Sequence, residues 1–506
     1  MITVFIGYIK NGGAIMSSTT EKKPKTMMYW INSAIVLFCF FGFGLLPELF
    51  GLNYAGMRAI GIFIGLLWGW IAVDFAWVSI IGIVAMGTTG VMTVTESFTT
   101  SFMSATFFQM LFPMILFAFM TTSGFAEWLA YKMLTMKFLV GHPWRIITMI
   151  FLVTSILHFF VHTWATIFLM WPIFIKIAEV AGYQKGDKFV GYIMCTIVML
   201  QTIMASSIPW GFYAVTLQSL MADALNGYPL PFIPILTLGI IGQILTVVIA
   251  LFYGKFIIRV DVSKLEKMPD DFYVKAETIK LSSQAKFGIG IVLTMIIMVG
   301  MPTFLPGTAF ATFCNDLNLQ GVTALLLAVV LLMRDKEGKP YVKTATLAHT
   351  GLSWDILFLV VSTLSLAALM KLPEVGIMEK ITGYFIPMAA SLPPALFIFG
   401  TIMIFWVITQ LTHNFVIVLT LVGAFAGVCP AIGINPWLFG WLFMCGMNFA
   451  YSTPAASSPG ALMYAHEWIS KKDAYINGIL FSLIGIVVFM LVMYPLANMM
   501  FGSIPQ

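Results

Sequence analysis

The feature that most constrains this chain is a series of long apolar runs, recurring from Met28 to Met500 with short polar gaps between them. Each approaches the ~20 residues that an α-helix needs to cross a bilayer. Only 9% of the residues are charged and 60% are hydrophobic, whereas a water-soluble chain carries roughly 25% charged residues. A backbone in lipid must satisfy its own hydrogen bonds, which leaves helices and closed barrels. The ~10-residue alternating segments of a barrel are absent. The expectation is an all-α polytopic membrane protein, with spans at 28–50, 57–73, 76–95, 105–123, 189–223, 231–254, 287–306, 318–333, 353–371, 436–465 and 474–497.

Two further apolar stretches, 146–180 and 389–430, are interrupted at their centres. The first contains FVHTWATIFLMWPIF (160–174) and the second LTHNFVIVLTLVGAF (411–425), so that His162-Thr163-Trp164 reads onto His413-Asn414-Phe415. Cytoplasmic loops are enriched in Lys and Arg. With Lys22, Lys23 and Lys25 inside, the basic gaps at 132–145, 255–286, 334–343 and Lys471-Lys472 also fall inside, provided that each interrupted stretch enters and leaves on one side. That gives about eleven crossings and two re-entrant hairpins, a cytoplasmic N-terminus and an outside C-terminus, in a cell inner (plasma) membrane.

The two hairpins then enter from opposite sides. TSGFAEWLAYKM (122–133) resembles PEVGIMEKITGY (373–384), and Ser207-Ile208-Pro209 resembles Ser452-Thr453-Pro454, in the same order as the hairpins. An inverted repeat with broken helices marks a secondary transporter. The organisation expected is a leader at 1–27, a first repeat with scaffold helices at 28–254, a cytoplasmic loop at 255–286 and a second, inverted repeat at 287–506.

Other classes of function find little support. The net charge of +5 comes from residues in the gaps, with no patch to follow a phosphate backbone, so no nucleic-acid partner is expected. The five cysteines show no C-x-x-C spacing and imply no metal knot or disulfide framework. No Walker-type motif is present, so energy must come from an ion gradient or from exchange. His158 and His162 have the i, i+4 spacing of metal ligands, but the glutamate of H-E-x-x-H is missing. An intramembrane metalloenzyme and a channel-like anion permease are the rival readings; the chain is expected not to be an enzyme and to need no cofactor beyond a coupling ion, Na+ or H+.

At a hairpin tip the backbone has groups without intrahelical partners. Free N–H groups and the positive end of the helix dipole favour an anion, and free carbonyls suit a cation. ASSIPWG (205–211) and YSTPAASSPG (451–460) cannot be continuous helix, because proline removes a donor and disfavours helix before it. Thr163, Asn414, Ser206, Ser207, Ser452 and Thr453 stand at these places.

These residues resemble the divalent-anion/sodium symporters, the dicarboxylate, citrate and sulfate carriers of the wider ion-transporter superfamily. In that family each tip reads Ser-Asn-Thr within a stretch like FISNTATTAMMLPI, and FVHTWATIFLMWPI aligns with it without gaps. The family's Gly-Thr-Pro-Pro-Asn-like break is similar to Ser452-Thr453-Pro454-Ala455-Ala456 here. The segment 352–377 is similar to its Asp-Trp-initiated span. The resemblance implies a homodimer in which a transport domain carrying both hairpins moves elevator-fashion and binds a small anionic substrate. Carried over by position, Thr163 and Asn414 take the Asn place, Trp164 and Phe415 that of the substrate-facing Thr, and Thr453 and Pro454 complete the substrate site. His162 and His413 take the Ser place and, with Ser206, Ser207 and Ser452, the coupling-ion positions. The two departures, aromatic for Thr and His for Ser, occur in both halves. They imply fewer hydroxyls for a carboxylate and a titratable group where the family organises sodium.

Overall fold

The computed structural model describes residues 27–49, 51–161, 163–206, 208–221, 231–266, 281–335, 337–411 and 413–502. Among these, the regular elements are helices, with one isolated antiparallel bridge between Arg334 and Pro340. In the first half they are α1 (Met27–Leu37), α2 (Tyr54–Ala72), α3 (Ala76–Met86), α4 (Val94–Phe102), α5 (Ala105–Thr122), α6 (Phe125–Leu134), α7 (Pro143–His158), α8 (Thr163–Ala181), α9 (Lys188–Met204), α10 (Phe212–Leu220) and α11 (Phe232–Phe252). A short α12 (Ser263–Glu266) precedes the second half. There follow α13 (Ser283–Phe304), α14 (Ala309–Leu332), α15 (Thr344–Gly351), α16 (Trp354–Lys371), α17 (Ile377–Ala390), α18 (Pro394–Thr409), α19 (Asn414–Val428), α20 (Pro436–Met447), α21 (Ser458–Ala465) and α22 (Lys471–Phe501).

Ten helical segments of the described residues are long and apolar enough to cross a membrane, and α3, α7, α9, α18 and α20 are shorter apolar helices. The protein is a polytopic all-helical membrane protein. Helix boundaries follow ordinary end chemistry. Asn53 caps α2 through Gly56 N–H, Ser104 caps α5 through Phe107 N–H, and Thr93 with Glu96 forms a capping box on α4. Boundaries depart from the sequence reading where the span expected at 76–95 stops as a helix at Met86, with α4 beginning only at Val94, and where the span expected at 318–333 starts at Ala309, with Asn318 at φ 54° marking a kink.

The order of elements runs twice. Helices beginning at 105, 125, 143, 163, 188 and 212 are matched by helices beginning at 354, 377, 394, 414, 436 and 458. Matched turns share conformation: left-handed Gly124 (φ 77°) and Gly376 (φ 69°) precede α6 and α17, and Gly182 (φ 85°) and Gly433 (φ 74°) follow α8 and α19. These are positions that only glycine adopts without steric cost.

Within the molecule, α9 packs between α7 and α8, and α20 packs between α18 and α19 in the same way. All twelve residues of α20 are buried, whereas α11 exposes Ile240, Ile244, Val248 and Phe252 along one stripe at i, i+4 spacing. An apolar stripe of that kind is what a lipid-facing helix presents. A second layer, in which α13, α14 and α15 each contact α5 and α13 packs on α14, lies against the hairpin layer chiefly through α5 and α10.

Candidate functional site

The first hairpin is α7 and α8 joined at residues 159–162, and the second is α18 and α19 joined at 410–413. In each the second helix begins at the tip, so its free N–H groups and positive dipole end lie there. In each the following helix stops early: α9 gives way at 205–211 before α10, and α20 at 448–457 before α21. These are the breaks that Pro209 and Pro454 announce. Two predicted site residues, His162 and Ser207, lie outside the described residues.

Asn414 is the hub of the second tip. Its backbone N–H donates to Ala456 O at 2.8 Å, and its Nδ2 donates to Asn448 Oδ1 at 3.0 Å. Asn448 in turn donates from Nδ2 to Ser206 Oγ. All three side chains are buried, Asn448 completely. One chain of amides and a hydroxyl therefore joins the second tip to the breaks of both halves. Buried polar groups persist when partnered in this way, since each unmet one costs about 1–3 kcal/mol.

His413 caps α19. Its Nδ1 accepts from Phe415 N–H at 3.3 Å, and its Nε2 lies 2.7 Å from Ser458 Oγ on α21. The ring's Nε2 also accepts the Ser458 backbone N–H at 3.3 Å, so both of its nitrogens are engaged. Its edge also meets the Phe75 ring at 5.6 Å. The imidazole thus fastens tip to break, where serine stands in the family.

Gln410, at the end of α18, supports the same break: its Oε1 accepts Ser452 N–H at 3.0 Å and its Nε2 donates to Trp406 O at 3.0 Å. Thr453 Oγ1 donates to Gln410 O and accepts Ala455 N–H at 3.2 Å. Pro454 is exposed at the apex of this turn. Two buried hydroxyl oxygens nearby in sequence, Ser452 Oγ and Thr409 Oγ1, have no hydrogen-bond partner among the described residues.

At the first tip a cavity of about 100 Å3 opens between α5, the break 205–211 and the start of α8. Thr163 and His158 line it from the hairpin, Gln109 and Met114 from α5, and Trp210 and Tyr213 from the break and α10. Of the predicted substrate residues, Thr163 is on its wall. Trp164 is half-buried against Phe168 (6.1 Å), and Phe415 is 4% exposed and meets Tyr213 edge-on at 5.1 Å. Phe415 therefore stands behind a cavity wall rather than on it.

Asn448, Gln410, Gln201 and Tyr213 were not singled out from the sequence. The available signal was an uncharged amide in an otherwise apolar helix end: Gln201 precedes ASSIP, Asn448 precedes YSTP, and Gln410 precedes the second tip. Such groups are expensive in lipid unless they meet one another.

The human Na(+)/dicarboxylate cotransporter 3 is similar at 22% identity over 251 residues, which is 46% of this chain and 41% of that protein. The chain thus matches less than half the length of that curated relative. The model of the citrate transporter family (CitMHS) matches residues 63–446, with both hairpins and the first break inside the match, and the chain belongs to that family.

Proposed function

We propose that the protein is a secondary active transporter that moves a small organic carboxylate, of the citrate or dicarboxylate class, by alternating access. The observation that carries the proposal is the buried chain Asn414–Asn448–Ser206, which makes one tip and both breaks a single unit. The cavity at Thr163 lies beside that unit and, among the described residues, has no Lys, Arg, Asp or Glu on its wall. An anion there is held by helix ends, amides and hydroxyls, which suits reversible release because a buried ion pair is costly to break.

The twofold order of elements supports an inverted repeat, with 28–254 and 287–506 as its halves and 255–286 as a cytoplasmic loop. In this reading the hairpin layer moves as a body against the layer of α5, α13 and α14, an elevator motion, in a homodimer in the plasma (inner) membrane. Sodium is the coupling ion, taken by the break carbonyls with the unpartnered Ser452 and Thr409 hydroxyls, since hard cations choose oxygen. His413 serves there as a fastener, because both ring nitrogens are engaged. The carrier activity of the sodium-coupled relative supports this choice.

The test is uptake of labelled citrate and succinate by purified protein in proteoliposomes, with sodium and proton gradients imposed separately. Saturable uptake that follows the sodium gradient is expected, falling at least tenfold in Thr163→Ala and Asn414→Ala. Flux that does not saturate with substrate would favour a channel, and normal uptake by both variants would remove the tips from the site.

A further inference from the structure

Gln109 is the fifth residue of α5 and stands on the wall of the first-tip cavity, across from the hairpin layer that supplies Thr163. The other residues that α5 brings to that wall are Met110, Pro113, Met114 and Phe117, all apolar. An amide in such a helix is expensive unless something holds it. Gln109 Nε2 donates to Gln320 Oε1 on α14 at 2.9 Å. Gln320 lies two residues past the kink at Asn318, and α14 packs along α5. Among the described residues this is the one hydrogen bond of the Gln109 side chain, and it leaves Oε1 and the second Nε2 hydrogen for the cavity. Pro113 adds a further polar group. It carries no N–H, so Gln109 O lacks the donor that residue i+4 brings in an unbroken helix, and both residues line the cavity.

We propose that Gln109 is a specificity-determining residue that receives a hydroxyl group of the substrate, so that this cavity selects hydroxycarboxylates over the same acids without the hydroxyl. This rests on the carrier reading above and deepens it. The carboxylate sits at the start of α8, where the free N–H groups are. The hydroxyl then donates to Gln109 Oε1 or to the carbonyl that Pro113 leaves open, and accepts from the remaining Nε2 hydrogen. A methylene at the same place leaves that donor and those acceptors unmet once water is expelled. Sites built to bond a hydroxyl reject the analogue that lacks it in this way. The substrate is thereby read from two layers, its carboxylate by the hairpin and its hydroxyl by α5.

The device belongs to one half of the molecule. Helices α5 and α16 correspond in the twofold order, and the fifth residue of α16 is Phe358, in ring contact with Phe102 at 6.2 Å, where α5 has Gln109. The ninth is Ser362, where α5 has Pro113. One amide on one side of the cavity suits one hydroxyl in one configuration, so the recognition is stereoselective. The competing role for the Gln109–Gln320 pair is glue between α5 and α14. Glue alone would affect the melting temperature, and would affect every substrate alike.

The experiment is the KM and kcat for uptake of succinate and of each enantiomer of malate by proteoliposomes holding the full chain, at a pH where these acids are dianions. It compares wild type, Gln109→Leu and Gln320→Leu, with melting temperatures measured alongside. In wild type the preferred malate enantiomer is expected to have a KM roughly fivefold or more below that of succinate. Q109L should bring the three KM values together by raising the one for that enantiomer, with kcat for succinate largely kept. Q320L, which keeps the amide but frees it from α14, should roughly halve the preference and leave the KM of succinate unchanged. It keeps the test decisive if Q109L fails to reach the membrane. A malate preference that survives in Q109L, or an equal rise of all three KM values in either variant, would overturn the assignment to Gln109. No carboxylate uptake by wild type would overturn the carrier reading together with this one, whereas wild-type uptake of succinate and both malates with equal KM overturns this one alone.

Discussion

At the scale of single residues the site is held by neutral hydrogen bonds, and the residue with most to lose is Asn448. Replacing it with alanine strands Asn414 Nδ2 and the Ser206 hydroxyl where both are buried, at about 1–3 kcal/mol for each unmet group. Asn448→Ala should therefore lower the melting temperature of the detergent-solubilised protein and reduce uptake at least tenfold; normal uptake would show that the chain is not part of the working site. The two aromatic departures from the family should separate in the same assays. Phe415 is buried on Tyr213, so Phe415→Thr leaves a cavity and costs several kcal/mol, by analogy with the roughly 3–5 kcal/mol of aromatic truncations. Trp164 is only half-buried, so Trp164→Thr should be tolerated and shift preference toward small dicarboxylates. Equal loss of stability in both variants would contradict this division.

At the scale of elements, the breaks depend on close backbone approach. A Cβ at Gly478 of α22 would stand 2.2 Å from Tyr451 O, in the segment just after α20. That contact is with backbone and has no flexible partner to yield, so Gly478→Ala should push the break away from α22, lowering both melting temperature and uptake. Gly427, on α19, meets nothing within 4 Å, and Gly427→Ala should be neutral or stabilising by up to ~1 kcal/mol. If both variants behave alike, packing of the break against α22 is not what positions it. This contrast also marks what the sequence makes legible. The hairpins and breaks could be read because proline, serine and threonine in an apolar run have few other uses. The pairing of 122–133 with 373–384 could be read because both segments carry a glycine before a helix. The kink at Asn318 could not, since a single left-handed residue leaves no periodic trace. Nor could the Asn414–Asn448 contact, because which amides meet is decided by packing of α19 on α20 and not by spacing along the chain.

At the scale of the whole molecule the strongest remaining inference is orientation, since length and composition identify spans without saying which end faces which compartment. From the distribution of Lys and Arg, the turn after α14, with Arg334, Lys339 and Lys343, is expected in the cytoplasm, and the turn between α13 and α14 outside. All five native cysteines are free and buried, so they should react slowly with a charged maleimide and leave a low background. Glu337 and Gly307 are both exposed, in those two turns respectively. In intact cells, Gly307→Cys should label with a membrane-impermeant maleimide and Glu337→Cys should not. After permeabilisation both should label. The pair brackets α14, so the outcome fixes the direction of one span and, through the alternation of crossings, of its neighbours. Glu337→Cys labelling in intact cells, with Gly307→Cys protected, would invert the molecule and place the N-terminus outside. Labelling of both from outside would mean that α14, kinked at Asn318, returns to the face it started from, and the count of eleven crossings would fail with it.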